Sequence, residues 1–471
     1  MLENYSLDNW KKGIHGIGIE ISSDCNLRCK YCYYYRLKRL EDPTCAVTDE
    51  LFYGNIEKIL DKIFEEYPNV RSIDFWGAEP LLHIERIKKV VEYIIENYKG
   101  NTFDFLISSN MYHEKELYDN LFSIFDEFES LLENKDLKFS FNVQTSIDFP
   151  KEIHNKYRVK PNNRGTFSKV KYNYISFMKR VAKKKYKKLF FNIFTKSTYN
   201  YKELDINTIR ETPDYIDSEV LENFPIIAKC KEISNNFNFN IDYFATPATG
   251  IEYTLDDGLK NYVYYQRIIE NFERLYNSGT LTYANSMFFI PGHLRVFISD
   301  LLNLRSLENS KEDYPVCRSG VLFIGIRNNG DIFPCHHFFS MANRDKYRIG
   351  NIFTGEYNEE LILTILNTYF ILSETFKDFE DKVFMPKYSK NLNYGSLSII
   401  SGVFYKFLLR HFCFAENCEF RDNWSNEDLN SLLKIYPVQW LELILGFISK
   451  YRKVFNAVAD ATFNVAYKDL R

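Results

Sequence analysis

Residues 24–35 read DCNLRCKYCYYY and place Cys25, Cys29 and Cys32 in a C-x3-C-x2-C array. The spacing is too short for a disulfide framework. It is also one ligand short of a closed structural zinc site, which takes four N or S donors. No His or further Cys follows within a dozen residues; Cys45 is the next thiol. Cuboidal [4Fe–4S] clusters are also held by thiolates. With only three from the protein, one iron stays open for a ligand, and that open position is the functional one. A bare three-cysteine array is also compatible with zinc or with chance.

The elements that must position this array are legible around it. Gly16–Ile21 alternates apolar residues and runs straight into the cysteines, a strand followed by a loop. Helical spacing marks Leu51–Tyr67, Ile84–Tyr98, Glu114–Glu133 and Phe167–Lys184. Strand patterns mark Ser72–Trp76, Thr102–Ser108, Lys138–Ile147, Lys188–Thr195 and Phe239–Thr246. The alternation from residue 16 to about 250 predicts an α/β fold, a parallel sheet with crossover helices. About six βα units fit, so an open, partial (β/α)6 barrel is expected rather than a closed eight-unit one. After Gly250 the rhythm breaks. Residues 255–310 read as connecting helices, and 314–354 as a turn-rich segment with a hairpin turn at Asn328-Asn329-Gly330-Asp331. Residues 356–412 read as apolar helical sequence. The expected division is 1–250 barrel, 251–313 helical connection, 314–425 C-terminal domain with a helical insertion and 426–471 closing helices.

The bulk properties narrow the function. Of the 471 residues, 45% are hydrophobic and 26% charged, a globular balance with ample core. The net charge of −3 gives no field for nucleic acid, and Lys183–Lys188 reads as a solvated helix end. The first thirteen residues carry no apolar signal region, and the longest apolar run, around Val438–Ser449, is too short to span a bilayer. The expectation is a cytoplasmic protein with no membrane partner. There its nine cysteines stay reduced and serve as metal ligands or reactive thiols.

Cys25-Asn-Leu-Arg-Cys29-Lys-Tyr-Cys32 resembles the signature of the radical S-adenosylmethionine (radical SAM) enzymes. In that family the open iron chelates the amino and carboxylate groups of S-adenosylmethionine. One electron cleaves the sulfonium to a 5′-deoxyadenosyl radical, which abstracts a substrate hydrogen. The resemblance implies that Tyr31 packs near the adenine. Gly77-Ala78-Glu79-Pro80 is similar to the family's Gly-Gly-Glu-Pro turn, with Ala78 in place of the second glycine; the carboxylate and backbone carbonyls there would hold the ligand ammonium. Ser108-Ser109-Asn110 ends the next strand where the family often has Thr-Asn-Gly, with Met111 in the glycine's place. Ser146-Ile-Asp148-Phe-Pro-Lys-Glu-Ile-His154-Asn155-Lys-Tyr-Arg158 resembles a block of the peptide-modifying branch. It implies contacts from Ser146 and Arg158 to the methionine carboxylate. Phe149 and Asn155 depart from that block, and His154 reads as structural.

Cys317 and Cys335, with Gly330 between them and Gly350-Asn351-Ile352 downstream, fit the opening of a SPASM motif. The dense later cysteine series of that motif is missing. One auxiliary [4Fe–4S] cluster on Cys317, Cys335, Cys413 and Cys418, as in the shortened "twitch" form, is the expectation; a second auxiliary cluster, a zinc site on these four, or two core thiols in the last pair, are the other readings. Cys45 and Cys230 read as inert thiols. His336 stands where sulfatase-maturating relatives carry an Asp implied as the base. It is the candidate proton acceptor, with donation to cluster sulfur or plain packing as the other readings, and the substitution speaks against sulfatase maturation.

Together the resemblance implies hydrogen abstraction from a residue of a ribosomally made peptide, giving a crosslink, thioether, epimer or oxidised residue. The implied partners are that peptide and an electron donor such as flavodoxin or ferredoxin. No N-terminal peptide-recognition domain fits before the first strand. A small-molecule or sulfatase-type side-chain substrate is the second reading, and a non-catalytic iron–sulfur or zinc scaffold the third.

Overall fold

A computed structural model describes residues 5–32, 34, 46–234, 236–241, 245–247, 254–281, 319–340, 344–368, 443–444 and 450. Two compact units divide the chain. The first takes residues 1–198, 223–240 and 319–366, the second 199–222, 241–318 and 367–471. Cys45, Cys317, Cys413 and Cys418 lie outside the described residues, as do most of 369–471.

In the first unit a short helix, α1 (Leu7–Gly13), leads into β1 (Gly16–Ser22). There follow α2 (Asp49–Glu66), β2 (Ser72–Gly77), α3 (Ile84–Asn97), β3 (Thr102–Ser109) and α4 (Lys115–Leu132). Then come β4 (Lys138–Ser146), α5 (Lys151–Tyr157), α6 (Phe167–Lys184), β5 (Leu189–Tyr199), α7 (Ile206–Ile233), whose residues 206–222 are counted with the second unit, and β6 (Phe237–Asn240). Strands β1 to β6 stand side by side in chain order, each parallel to the next. Parallel neighbours need long crossovers, and the amphipathic helices supply them. The result is the six-stranded partial barrel expected from the alternation.

Burial alternates along β3, β4 and β5, so one face of each strand is apolar. On that face Phe75, Phe105, Phe141 and Phe191 form a ladder with ring centroids 5.6, 5.0 and 5.6 Å apart. Phe125 from α4 closes on Phe141 and Phe191 at 5.1 and 5.0 Å. Such aromatic pairs add about 0.5–1.5 kcal/mol each beyond area burial. The opposite face is half-buried and mixed, with Asp74, Ser108, Asn142, Gln144, Ser146, Asn192 and Lys196 beside Trp76, Leu106, Phe190 and Phe194.

The second unit contains a short strand, β7 (Ala245–Pro247), and α8 (Leu255–Asn277), which Thr254 and Asp257 start with a capping box. Within it Arg267 grips Asp214 through Nε and Nη2, at 3.1 and 2.9 Å.

Back in the first unit, β8 (Phe323–Ile326) lies parallel to β1 on the side away from β2. The antiparallel β9 (Asp331–Phe333), β10 (Gly350–Asn351) and β11 (Glu356–Tyr357) continue outward. The 328–331 turn forms as the sequence indicates, with Gly330 at φ +85° and its N–H bonded to the Arg327 carbonyl at 2.9 Å. Strand β1 is therefore buried on both faces. Its Gly18 leaves the room that Trp76 and Phe323 fill, because an added Cβ would sit 3.0 Å from each. No helix among the described residues is long and apolar enough to cross a membrane.

Candidate active site

The three cysteines lie on the loop that leaves the C-terminal end of β1, and none of them is in a disulfide. One side of this loop is set by the turn after β2. Gly77 takes φ +140°, and a Cβ there would come within 2.0 Å of the Ser22 carbonyl oxygen, so only glycine fits. The Ala78 N–H then donates to the Ser22 carbonyl at 3.0 Å and the Glu79 N–H to the Asp24 carbonyl at 2.9 Å. Pro80 opens a 3₁₀ turn, Pro80–His83, of which Pro80 and Leu81 are buried. The Gly77–Pro80 turn is thus a bracket for the start of the cysteine loop.

Glu79 is 1% exposed and directs its carboxylate inward. Oε1 accepts from the Leu81 N–H at 3.2 Å and Ser109 Oγ at 2.8 Å, with His113 Nε2 at 3.3 Å. Oε2 accepts from the Asn110 N–H at 2.7 Å. Asn110 in turn reaches the cysteine loop: its Nδ2 donates to Asn26 Oδ1 at 2.8 Å and approaches Cys25 Sγ at 3.7 Å. Met111, in the place of the family's glycine, keeps the glycine's left-handed backbone at φ +52°. Hydrogen bonds to its carbonyl from Tyr118 Oη at 3.0 Å and Asn173 Nδ2 at 2.8 Å fix it there. His113, Tyr118 and Asn173 carry no motif signal and were invisible in the sequence.

The other side of the loop is strapped to residues 157–159. The Arg28 N–H donates to the Val159 carbonyl at 2.7 Å, and the Lys30 N–H to the Tyr157 carbonyl at 2.9 Å. Tyr31 is buried and gives its hydroxyl to Asp148 Oδ2 at 2.5 Å. Arg158 holds the same carboxylate with Nε at 2.9 Å and Nη2 at 3.1 Å, and the Thr198 N–H adds a bond at 2.8 Å. Burial opposes the Arg158 charge, but Asp148, Tyr31 and Cys29 together outweigh it and raise its pKa. One edge of the guanidinium is therefore engaged within the protein. Ser108 accepts from Gln144 Nε2 at 2.8 Å, and Ser146 lies on the mixed face in register with Lys196.

The donor set suits an iron–sulfur cluster. Burial, the neighbouring thiols and Glu79 hold Cys25 well above its ordinary pKa, and burial pushes Cys29 up to about 12. Thiolates form here only against a positive partner such as iron. The Leu27 N–H, 3.4 Å from Cys25 Sγ, is a ready donor to sulfur. Among the described residues no three His, Cys, Asp or Glu side chains converge as they would on a single metal ion. In a cluster each cysteine instead ligates its own iron.

His336, in a 3₁₀ turn after β9, lies flat on Trp76 with ring centroids 3.3 Å apart. That places it beside the Gly77–Pro80 turn. Both His336 ring nitrogens and Trp76 Nε1 are buried without a protein partner. Burial, with His337 and Lys196 adding, holds His336 well below its ordinary pKa and so neutral. Cys335 is buried.

Residues 19–205 match the family model described as the Radical SAM superfamily. The cysteine-type anaerobic sulfatase-maturating enzyme of Clostridium novyi is 28% identical over 158 residues, 32% of this chain and 37% of that enzyme. The serine-type enzyme of Bacteroides thetaiotaomicron is 30% identical over 154 residues, 32% and 33% of the two chains. The match thus spans about a third of the length of these curated relatives. A solved structure described as native anSMEcpe with bound AdoMet superposes with a TM-score of 0.51 at 22% identity. That alignment covers 92% of this chain and 99% of that one, a likeness of fold. Residues 19–205 of this chain are a domain of the radical SAM superfamily.

Proposed function

We propose that the protein is a radical SAM enzyme that abstracts a hydrogen from a residue of a peptide or protein substrate. The observation that carries this reading is the disulfide-free Cys25–Cys29–Cys32 array on the loop after β1, inside the matched domain. These three cysteines would hold a [4Fe–4S] cluster and leave one iron for S-adenosylmethionine. When bound, the cluster supplies the electron for reductive cleavage of S-adenosylmethionine. The chain's own residues do the positioning. Gly77 and Glu79 bracket one side of the loop, Asn110 steadies Cys25, and the 157–159 strap secures the other side. Backbone carbonyls of the Gly77–Pro80 turn and the Ser146 hydroxyl are assigned to the methionine end of the ligand. His336, stacked on Trp76 with unpartnered nitrogens, is assigned to the substrate.

A ribosomally made peptide is the substrate we favour, with flavodoxin or ferredoxin as electron donor and the cytoplasm as location. An auxiliary cluster on Cys317, Cys335, Cys413 and Cys418, in a twitch-like C-terminal domain, belongs to the same reading. The named relatives keep a protein side chain, of the kind found on sulfatases, as the second substrate.

The test is anaerobic reconstitution with iron and sulfide, then S-adenosylmethionine and dithionite, with 5′-deoxyadenosine quantified by mass spectrometry. The expected result is 5′-deoxyadenosine from the wild type and none from the Cys25→Ala/Cys29→Ala/Cys32→Ala variant. Equal amounts from both would overturn the proposal.

A further inference from the structure

We infer that the basic surface on the strap side of the cysteine loop is the docking site of an acidic electron-carrier protein of the flavodoxin kind. The inference rests on the radical SAM reading and gives the electron donor its place on this chain.

Residues 151–171 hold seven Lys or Arg and a single acid, Glu152, in a chain whose net charge is −3. The fold gathers these cations against the cysteines. The Arg28 and Lys30 N–H groups donate to the Val159 and Tyr157 carbonyls, which brings residue 30, between Cys29 and Cys32, against residues 156–160. The Lys160 N–H donates to the Arg164 carbonyl at 2.9 Å and Val159 pairs with Gly165, so the stretch doubles back on itself. Lys160 and Lys169 both lie over the Tyr112 ring, their Nζ atoms 5.8 and 4.8 Å from its centroid. Tyr112 is tied to the cysteine loop, since its carbonyl accepts from Asn26 Nδ2 at 2.5 Å. Lys156 lies over Tyr157 at 4.9 Å, and the Tyr157 ring meets that of Tyr31, the residue before Cys32, at 5.6 Å.

Lys30, Lys156 and Arg164 are exposed, Lys160 is half-buried, and none of the four has an ion-pair partner among the described residues. Lys169 pairs with Glu114, and the exposed Asp24 faces His83 at 3.1 Å. A positive field beside the cluster loop steers an acidic partner to it and speeds the encounter. Trp76 and His336, assigned to the substrate, belong to the opposite bracket, so the patch lies apart from the substrate side of the loop. The denser basic run at 183–188 is no rival. It precedes β5 and so lies at the other end of the parallel strands; Lys184 there pairs with Asp126, and Glu129 accepts from the Lys187 and Lys188 N–H groups. In the docked complex the flavin hydroquinone anion gives one electron to the cluster and becomes the neutral semiquinone. No bond forms or breaks and no proton moves.

The test measures binding and electron transfer between flavodoxin and the reconstituted protein. Calorimetry gives the affinity for oxidised flavodoxin, and stopped-flow absorbance gives the rate at which flavodoxin hydroquinone is oxidised. The variants are Lys156→Gln/Lys160→Gln/Arg164→Gln and, with the same loss of charge, Lys183→Gln/Lys185→Gln/Lys187→Gln. The first is expected to lose about tenfold in affinity and in rate at about 10 mM salt. The wild type is expected to lose as much when salt is raised to about 1 M, and the second variant to follow the wild type. Equal effects from the two variants would overturn the proposal, and so would a wild type indifferent to salt. Dithionite reduction slowed to the same degree in the first variant would mean damage to the cluster, not lost docking, and would also overturn it. Wild-type flavodoxin rates with lost binding of a poly-glutamate peptide would assign the patch to an acidic substrate peptide, again against the proposal. A wild type that takes up no cluster would overturn the radical SAM reading itself.

Discussion

Glu79 shows how a residue named by a motif can work through the fold. Its carboxylate accepts from Leu81, Ser109 and Asn110 and meets His113, all within the protein. Glu79→Gln turns one oxygen into an amide nitrogen that faces a donor. Leaving buried donors unsatisfied costs about 1–3 kcal/mol. Urea unfolding of the apoprotein is expected to show a loss of about 2 kcal/mol. Unchanged stability with weakened S-adenosylmethionine binding would instead place this carboxylate on the ligand. Gly77→Ala is expected to be more damaging. The Cβ would meet the Ser22 carbonyl at 2.0 Å with φ at +140°, so β1 and β2 must part just where the cysteine loop begins. Strained backbone and overpacking each cost about 1–3 kcal/mol. Loss of iron uptake with a lower urea midpoint is the expected outcome; normal iron uptake would show that the turn is not the bracket of the loop.

At the scale of elements, the connection from β4 to α6 is the device that secures the loop. Helix α5 contributes His154, which is fully buried. Its Nδ1 accepts from the Asp148 N–H, while Nε2 faces Thr166 Oγ1 at 2.9 Å. Thr166 gives its own proton to the Arg158 carbonyl, so Nε2 carries the hydrogen and the ring is neutral. Burial lowers the His154 pKa from 6.5 to about 3. A folded pKa below the unfolded one contributes stability that is full above about pH 6.5 and is lost as pH falls toward 3. Between pH 7.5 and pH 5 the loss from this residue is about 2 kcal/mol. Urea titrations at the two pH values should show it as the difference between wild type and His154→Gln, and equal slopes in both proteins would refute it. The sequence marked His154 as structural but could not show that it fixes Asp148. The barrel itself was legible, because strands with one buried face and helices with an apolar stripe announce themselves by period. Asp148, Asn173 and His113 act through contacts across distant segments, and no local period encodes that. Met111 looked like a departure from the family pattern, yet the backbone it adopts is the glycine's, held by Tyr118 and Asn173.

Across the first unit, residues 319–366 extend the barrel's sheet at its β1 edge, which the sequence did not reveal. Strands of two to four residues are too short to carry an alternating pattern. The docking is written instead in a buried ion pair separated by 307 residues, Arg327 Nε to Glu20 Oε2 at 3.1 Å. The neighbouring Asn328 donates to the Glu20 carbonyl at 2.8 Å. Burial raises the Glu20 pKa and Arg327 opposes that rise, so the carboxylate depends on its partner for its charge. Removing one member of a buried pair costs about 3–5 kcal/mol, whereas replacing both is often close to neutral. Arg327→Met is therefore expected to lower stability by about 3 kcal/mol or more in urea unfolding, and Glu20→Gln/Arg327→Met to recover most of it. The recovery matters more than the loss, since only a coupled pair predicts it. If the single variant unfolds at the wild-type urea concentration, β8 must be held chiefly by its pairing with β1 and by the Trp10 Nε1 bond to the Gly320 carbonyl at 2.8 Å. The ion pair would then be a consequence of that docking rather than its cause.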